Sequence, residues 1–281
     1  MIDTIRQMRR ITSQTLADVL AGIIDDQPSE TAIRDAWHQR IATTSGIATE
    51  GWYQPPPQGI IVAIGNPPNY KRLEQPTYRS ELAWPNPQYR MGPESLLFAY
   101  ASPAHRATGL IGDLACSLYR GSDDALRTHL RNVWKITMQI TQAAATGMTI
   151  AELYEQAGKL IVAGGFENNI YSVNDDASTN IGHTLPWSNE PMSRTEQYVI
   201  EHGTAGEQAD LISHKRRFVS PKEMLKISGD LALTIEPRLN RPGLPTVGFH
   251  VVVAFEGREK VVITEFDSLF KLFGMKNLAH A

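Results

Sequence analysis

Two stretches of this chain carry the same pattern at a fixed offset, and that repeat limits the fold more than any other feature. In the first, apolar residues at Ile5, Met8, Leu16, Val19, Leu20 and Ile23 have helical spacing. Asp25-Asp26-Gln27-Pro28 breaks the run, and Ser29 offers an N-cap for a second helix with Ile33, Trp37 and Ile41 on one face. Ser45-Gly46 stops it. In the second stretch, a long helix from Asp123 places Leu126, Leu130, Val133, Thr137 and Ile140 on one stripe. Gly147-Met148-Thr149 interrupts, and Leu153, Ala157 and Ile161 follow before Gly164-Gly165. From Ser29 to Thr149, and from Trp37 to Ala157, the offset is 120 positions. Such a repeat predicts a domain of two similar halves.

Between and after these helices lie short apolar runs of strand length: residues 59–65, 96–101, 112–118, 180–185, 230–236, 249–255 and 260–264. The last two, joined by Glu256-Gly257-Arg258-Glu259, read as a β-hairpin. Residues 66–93, rich in proline and tyrosine, read as a long ordered excursion. Everything after Gly165 reads as strands and loops. The expected class is α+β, an antiparallel sheet with helices packed on it.

A net charge of −3 gives no reason to expect nucleic acid. The densest basic run, His214-Lys215-Arg216-Arg217, reads as a solvated loop or helix end. The lone cysteine, Cys116, sits in an apolar strand pattern, where a thiol is inert; it excludes an internal disulfide and a multi-cysteine zinc site. With no signal-peptide pattern and no long apolar span, a soluble, cytoplasmic protein without membrane contact is expected.

Polar residues inside apolar strand patterns carry the chemical information, because burying them unpaired is costly. Four stand out: Asp113, His183, Glu236 and His250. Together they offer the oxygen and nitrogen donors that Mn, Fe, Co or Zn accepts. They lie far apart in sequence, so only a fold can join them. Trp52, Tyr53, Tyr70, Tyr78, Trp84 and Trp187 are candidate pocket aromatics.

Three segments, in order, resemble signature stretches of the methionine aminopeptidase, aminopeptidase P and creatinase family, the pita-bread metallopeptidases. Residues 109–121, with Asp113 and Tyr119-Arg120-Gly121, resemble the strand holding that family's second metal-binding aspartate. Asn180-Ile181-Gly182-His183, through Asn189-Glu190-Pro191, resembles its glycine-histidine motif and His-Glu-Pro-like segment. Residues 225–237, ending Thr234-Ile235-Glu236-Pro237, resemble the stretch holding its first metal-binding glutamate. The resemblance implies a pita-bread fold: two pseudo-symmetric halves and a curved antiparallel sheet covered by helices. It also implies one domain over residues 1–281, without the extra amino-terminal domain of some branches, and a homodimer.

The family binds two metals on five side chains, and this chain departs from that set. Residues 96–102 contain no carboxylate where a first aspartate belongs. The final glutamate falls on His250 or Val252, and a substrate-binding histidine on Asn189 or Glu190. The histidine expected after residues 59–65 has no clear counterpart. The expectation is one divalent ion (Fe, Mn, Co or Zn) on Asp113, His183 and Glu236, with His250 a candidate fourth ligand and His183, Glu190 and His250 the catalytic side chains. The expected reaction on a small polar substrate is hydrolysis or elimination at a C–N or similar bond, or iron-dependent oxygen chemistry. Alternatives are a metal-free, creatinase-like hydrolase with His183 as general base, and an inactive binding module, against which the retained ionisable groups argue.

Overall fold

The computed structural model describes residues 1–48, 56–74, 80–169 and 179–278. Its elements run α1 (Ile2–Ile23), α2 (Glu30–Ala42), β1 (Ile47–Ala48), β2 (Ile61–Gly65), β3 (Leu96–Ala101), β4 (Ala104–His105), β5 (Leu114–Tyr119), α3 (Asp124–Ala143), α4 (Ile150–Ala163) and β6 (Glu167–Asn168). There follow α5 (Arg194–His202), α6 (Ala205–His214), β7 (Ala232–Ile235), β8 (Arg238–Arg241), β9 (Leu244–Gly248), β10 (Val251–Glu256), β11 (Glu259–Ile263) and α7 (Asp267–Leu272).

The repeat is visible in the backbone. Ser29 caps α2 by accepting from Ala32 N–H, and Thr149 caps α4 in a capping box with Glu152. Each cap also meets an extended segment in an isolated antiparallel bridge, Ser29 with Arg90 and Thr149 with Lys226. The amide after each cap donates to that segment: Glu30 to Tyr89 O at 3.0 Å, and Ile150 to Leu225 O at 2.9 Å. Helix pairs α1–α2 and α3–α4 thus enter their halves alike.

Among the described residues, three antiparallel sheets of three strands form, in the orders β2-β3-β5, β11-β10-β7 and β6-β8-β9, with a two-stranded β1-β4 ribbon. The first sheet joins the second through the Cys116–Phe249 bridge and the 2.9 Å bond from His250 N–H to Ala115 O. Helix α2 covers β2, and α3 covers β7, β9 and β10. One apolar cluster runs through both halves, with Trp134 edge-on to Phe249, Phe266 and Phe270 at its centre. Cys116 is fully buried in β5, where burial pushes its thiol up to about 12, so it stays protonated and inert. Among the described residues, no helix is long and apolar enough to cross a membrane.

Three expectations are corrected. Residues 180–185 form no strand; they run as single bridges, His183 to Phe218 and Thr184 to Leu233. The chain after Gly165 is not all strand and loop, because α5, α6 and α7 lie there. Both α5 and α6 open with capping boxes, Ser193–Glu196 and Thr204–Glu207, yet α5 buries only Ile200 among its described residues. So short an apolar stripe leaves little periodic signal. In the basic run, Arg216 is buried over the Phe218 ring rather than solvated.

One buried charge ties these parts together. Arg9, on the inner face of α1, donates to Gly112 O (2.9 Å), Asp113 O (2.7 Å), His250 O (2.7 Å) and Thr264 O (2.8 Å). Burial lowers its guanidinium to about 10, which leaves it charged at neutral pH. Replacing it strands three buried carbonyls, each costing about 1–3 kcal/mol when unpaired, and the half-buried Thr264 O. Arg9→Met is therefore expected to lower the thermal midpoint by at least about 6 °C by circular dichroism. A change under about 2 °C would show that the clamp is redundant.

Candidate metal centre

Three strand ends and one bridged segment deliver four ionisable side chains to one place. Asp113 immediately precedes β5, with its backbone in the left-handed region at φ +43°. A Cβ on the preceding Gly112 would lie 2.8 Å from Arg9 N, so α1 approaches the chain closely there. Asp113 N–H donates to Ser102 Oγ at 3.2 Å. His183 follows Gly182, whose φ of +146° and closeness to β7 admit no side chain; a Cβ would sit 2.0 Å from Thr234 O. Thr234 Oγ1 accepts from His183 N–H at 3.0 Å. Glu236 lies just past β7, its N–H bonded to Ile181 O at 2.7 Å. His250 lies just before β10, fixed by Ala115 O on its amide and by Arg9 on its carbonyl.

All four side chains are buried, and they converge. Donor atoms of Asp113, His183 and Glu236 lie within 4.8 Å of one another, a grouping that can hold a metal ion. His250 Nδ1 lies 2.9 Å from Asp113 Oδ1 and 3.0 Å from Glu236 Oε2, bridging the two carboxylates. The second oxygen of Asp113, Oδ2, lies 2.9 Å from His183 Nε2. Buried Oδ2 accepts no other hydrogen bond.

The tautomer sharpens this. His183 Nδ1 faces Thr184 O at 2.9 Å, and a carbonyl only accepts, so Nδ1 carries a proton. In the neutral ring Nε2 then presents a lone pair to Asp113 Oδ2. Two lone pairs at 2.9 Å repel unless a positive species joins them. The donor set therefore fits a metal ion; a backbone carbonyl on the far nitrogen is the usual orienting partner of a ligating histidine.

Burial alone would raise Asp113, but contacts with His183 and His250 outweigh it and hold the carboxyl well below its ordinary range. Burial alone would lower His250, but Glu236 and Asp113 raise it to about 9. His250 is thus a cation at neutral pH, set between two anions.

No family model matches the chain, and no curated protein matches it. Solved structures do. The X-Pro aminopeptidase of Thermotoga maritima superposes with TM-score 0.63 at 14% identity, covering 94% of this chain and 60% of its own. The prolidase of Pyrococcus furiosus gives 0.59 at 15%, covering 92% and 62%. The methionine aminopeptidase of Rickettsia prowazekii gives 0.59 at 12%, covering 92% and 95%. The chain has the pita-bread fold. At these identities the likeness establishes the fold alone, and this chain spans about three-fifths of the first two structures.

Within the pita-bread frame, the ambiguous position resolves. His250, not Val252, meets Asp113 and Glu236; Val252 is a fully buried apolar residue paired with Thr234 and Ile263. Where the first aspartate was expected, Ser102 offers a neutral hydroxyl to the Asp113 amide. Glu190 is exposed and does not join the buried group. Trp52, Tyr53 and Tyr78 lie outside the described residues. Aromatic walls come instead from Tyr100, 5.6 Å from the His250 ring, and Phe218, 6.2 Å from His183. Sequence reading passed over these, and over Arg9, although an arginine in line with Ile5, Thr12 and Leu16 on a buried helix face was a visible signal.

Glycines at 158 and 182 should respond to alanine with opposite signs. Gly158 lies inside α4 with no atom within 4 Å of an added Cβ, so Gly158→Ala should stabilise by about 0.5–1 kcal/mol. Gly182→Ala forces backbone against backbone at Thr234 and should cost at least about 2 kcal/mol in urea unfolding. Equal responses would contradict the close approach that sets His183 in place.

Proposed function

We propose that this chain is an enzyme that uses one divalent cation, held by Asp113, His183 and Glu236, for hydrolysis or elimination at a C–N bond of a small polar substrate. The observation that carries this reading is the buried convergence of Asp113, His183 and Glu236, whose donor atoms lie within 4.8 Å of one another, with Asp113 Oδ2 2.9 Å from His183 Nε2. Three protein donors leave positions open, as in a catalytic rather than a closed structural site. A cation bound there supplies Lewis acidity toward a carbonyl-like group and an activated water.

The chain's own residues do the rest. His183 is oriented by Thr184 O, and Asp113 by Arg9 and Ser102 behind it. His250 holds a proton at Nδ1 between two carboxylates, which suits it to donate rather than to abstract. Tyr100 and Phe218 limit water around the two histidines. Glu236 and His250, with side-chain exposures of 11% and 10%, are the more accessible of the four residues, against 3% at His183 and 1% at Asp113.

The same short contact supports a second reading. Without the cation, His183 beside Asp113 would serve as the general base of a metal-free, creatinase-like hydrolase. Metal analysis separates the two. Protein purified without chelator is expected to carry close to one equivalent of a transition metal. Chelation should lower its thermal midpoint by about 5 °C. His183→Ala and Glu236→Gln should each lose the metal. No metal as purified, and none taken up on soaking, would overturn the single-cation reading. The neighbours' names make peptides the first substrates to try; rapid cleavage of a methionyl or X-Pro peptide would overturn the non-peptidase part.

A further inference from the structure

We infer that His250 occupies the place of a second cation, so that the centre is mononuclear by construction. This deepens the single-cation reading and rests on it. Asp113 Oδ1 and Glu236 Oε2 are the two anionic oxygens that a bridging metal ion would share. Both are already engaged by one N–H, at 2.9 and 3.0 Å from His250 Nδ1. A metal ion at about 2.1 Å from each oxygen would compete with that N–H for the same lone pairs.

The imidazole is not free to swing aside. Its residue is pinned at the backbone from both sides, by Ala115 O on the amide and by Arg9 on the carbonyl. Its ring stands edge-to-face against Tyr100. The Asp113 carboxylate is thereby divided, Oδ1 committed to His250 and Oδ2 left toward His183. Among the described residues, the side chain on the Asp113 amide is Ser102, a neutral hydroxyl that adds no charge there.

The test uses the full chain and Mn2+ alone, read by metal analysis and electron paramagnetic resonance. The wild type titrated to several equivalents is expected to bind one Mn2+ and to keep an uncoupled six-line spectrum throughout. His250→Glu replaces the donor by a third carboxylate and is expected to bind two, with an exchange-coupled spectrum; His250→Asp is a shorter replacement with the same expectation. An exchange-coupled pair in the wild type overturns the inference, and this measurement stands even where both variants fail to fold. One equivalent in the wild type and in a folded carboxylate variant also overturns it, and leaves the single-cation reading intact. No uptake by the wild type overturns that reading, and the inference with it.

Discussion

Arg9 is the point at which the two halves of the molecule are held against one another. Its guanidinium takes the carbonyls of Gly112, Asp113, His250 and Thr264, from three separated parts of the chain. Those carbonyls belong to segments where regular pairing stops, so no ladder partner satisfies them. A planar fork of five donors can meet several acceptors at once, which a lysine cannot. The result fixes Asp113 in a left-handed backbone and His250 opposite it, and the rest of the site is built against that pair.

From this base follows the electrostatic character of the centre. Two carboxylates already face two buried cations, the imidazole of His250 and the Arg9 guanidinium behind Asp113, with Tyr100 and Phe218 beside them. One added divalent ion is a smaller imbalance for such a centre than two, which would leave a large buried positive charge. The pita-bread frame is thus retained, while the charge that fills its centre has changed in kind. A proton fixed on a side chain supplies part of what an ion would.

The fold was legible largely because helix period and capping are local properties. The stripes Ile33-Trp37-Ile41 and Leu153-Ala157-Ile161, with Ser29 and Thr149 before them, announced the repeat without any tertiary information. Strands β3 and β10 were legible as apolar runs. Helices α5 and α6 were not, since they span only 9 and 10 residues, too few turns to establish a stripe. Asp113, His183, Glu236 and His250 stood out because polar side chains are rare in buried strands. Glu190 was placed near them only by likeness of a segment, and the exposed turn that carries it lies outside the group.

What the sequence determined by itself was the supply of parts: two helix pairs, a set of apolar strands, and four ionisable residues too costly to bury without partners. Which atoms became those partners was decided only in three dimensions. His250 and Val252 share one face of the strand, so which of them meets the centre is set by the register of the segment against β5 and β7. That Thr184 O fixes the His183 tautomer, that Gly182 lets β7 come within touching distance, and that Arg9 reaches across to Thr264 all depend on contacts between distant segments. Burial turned a list of polar residues into a charged centre, because only there do a few ångströms decide where a proton or a cation sits.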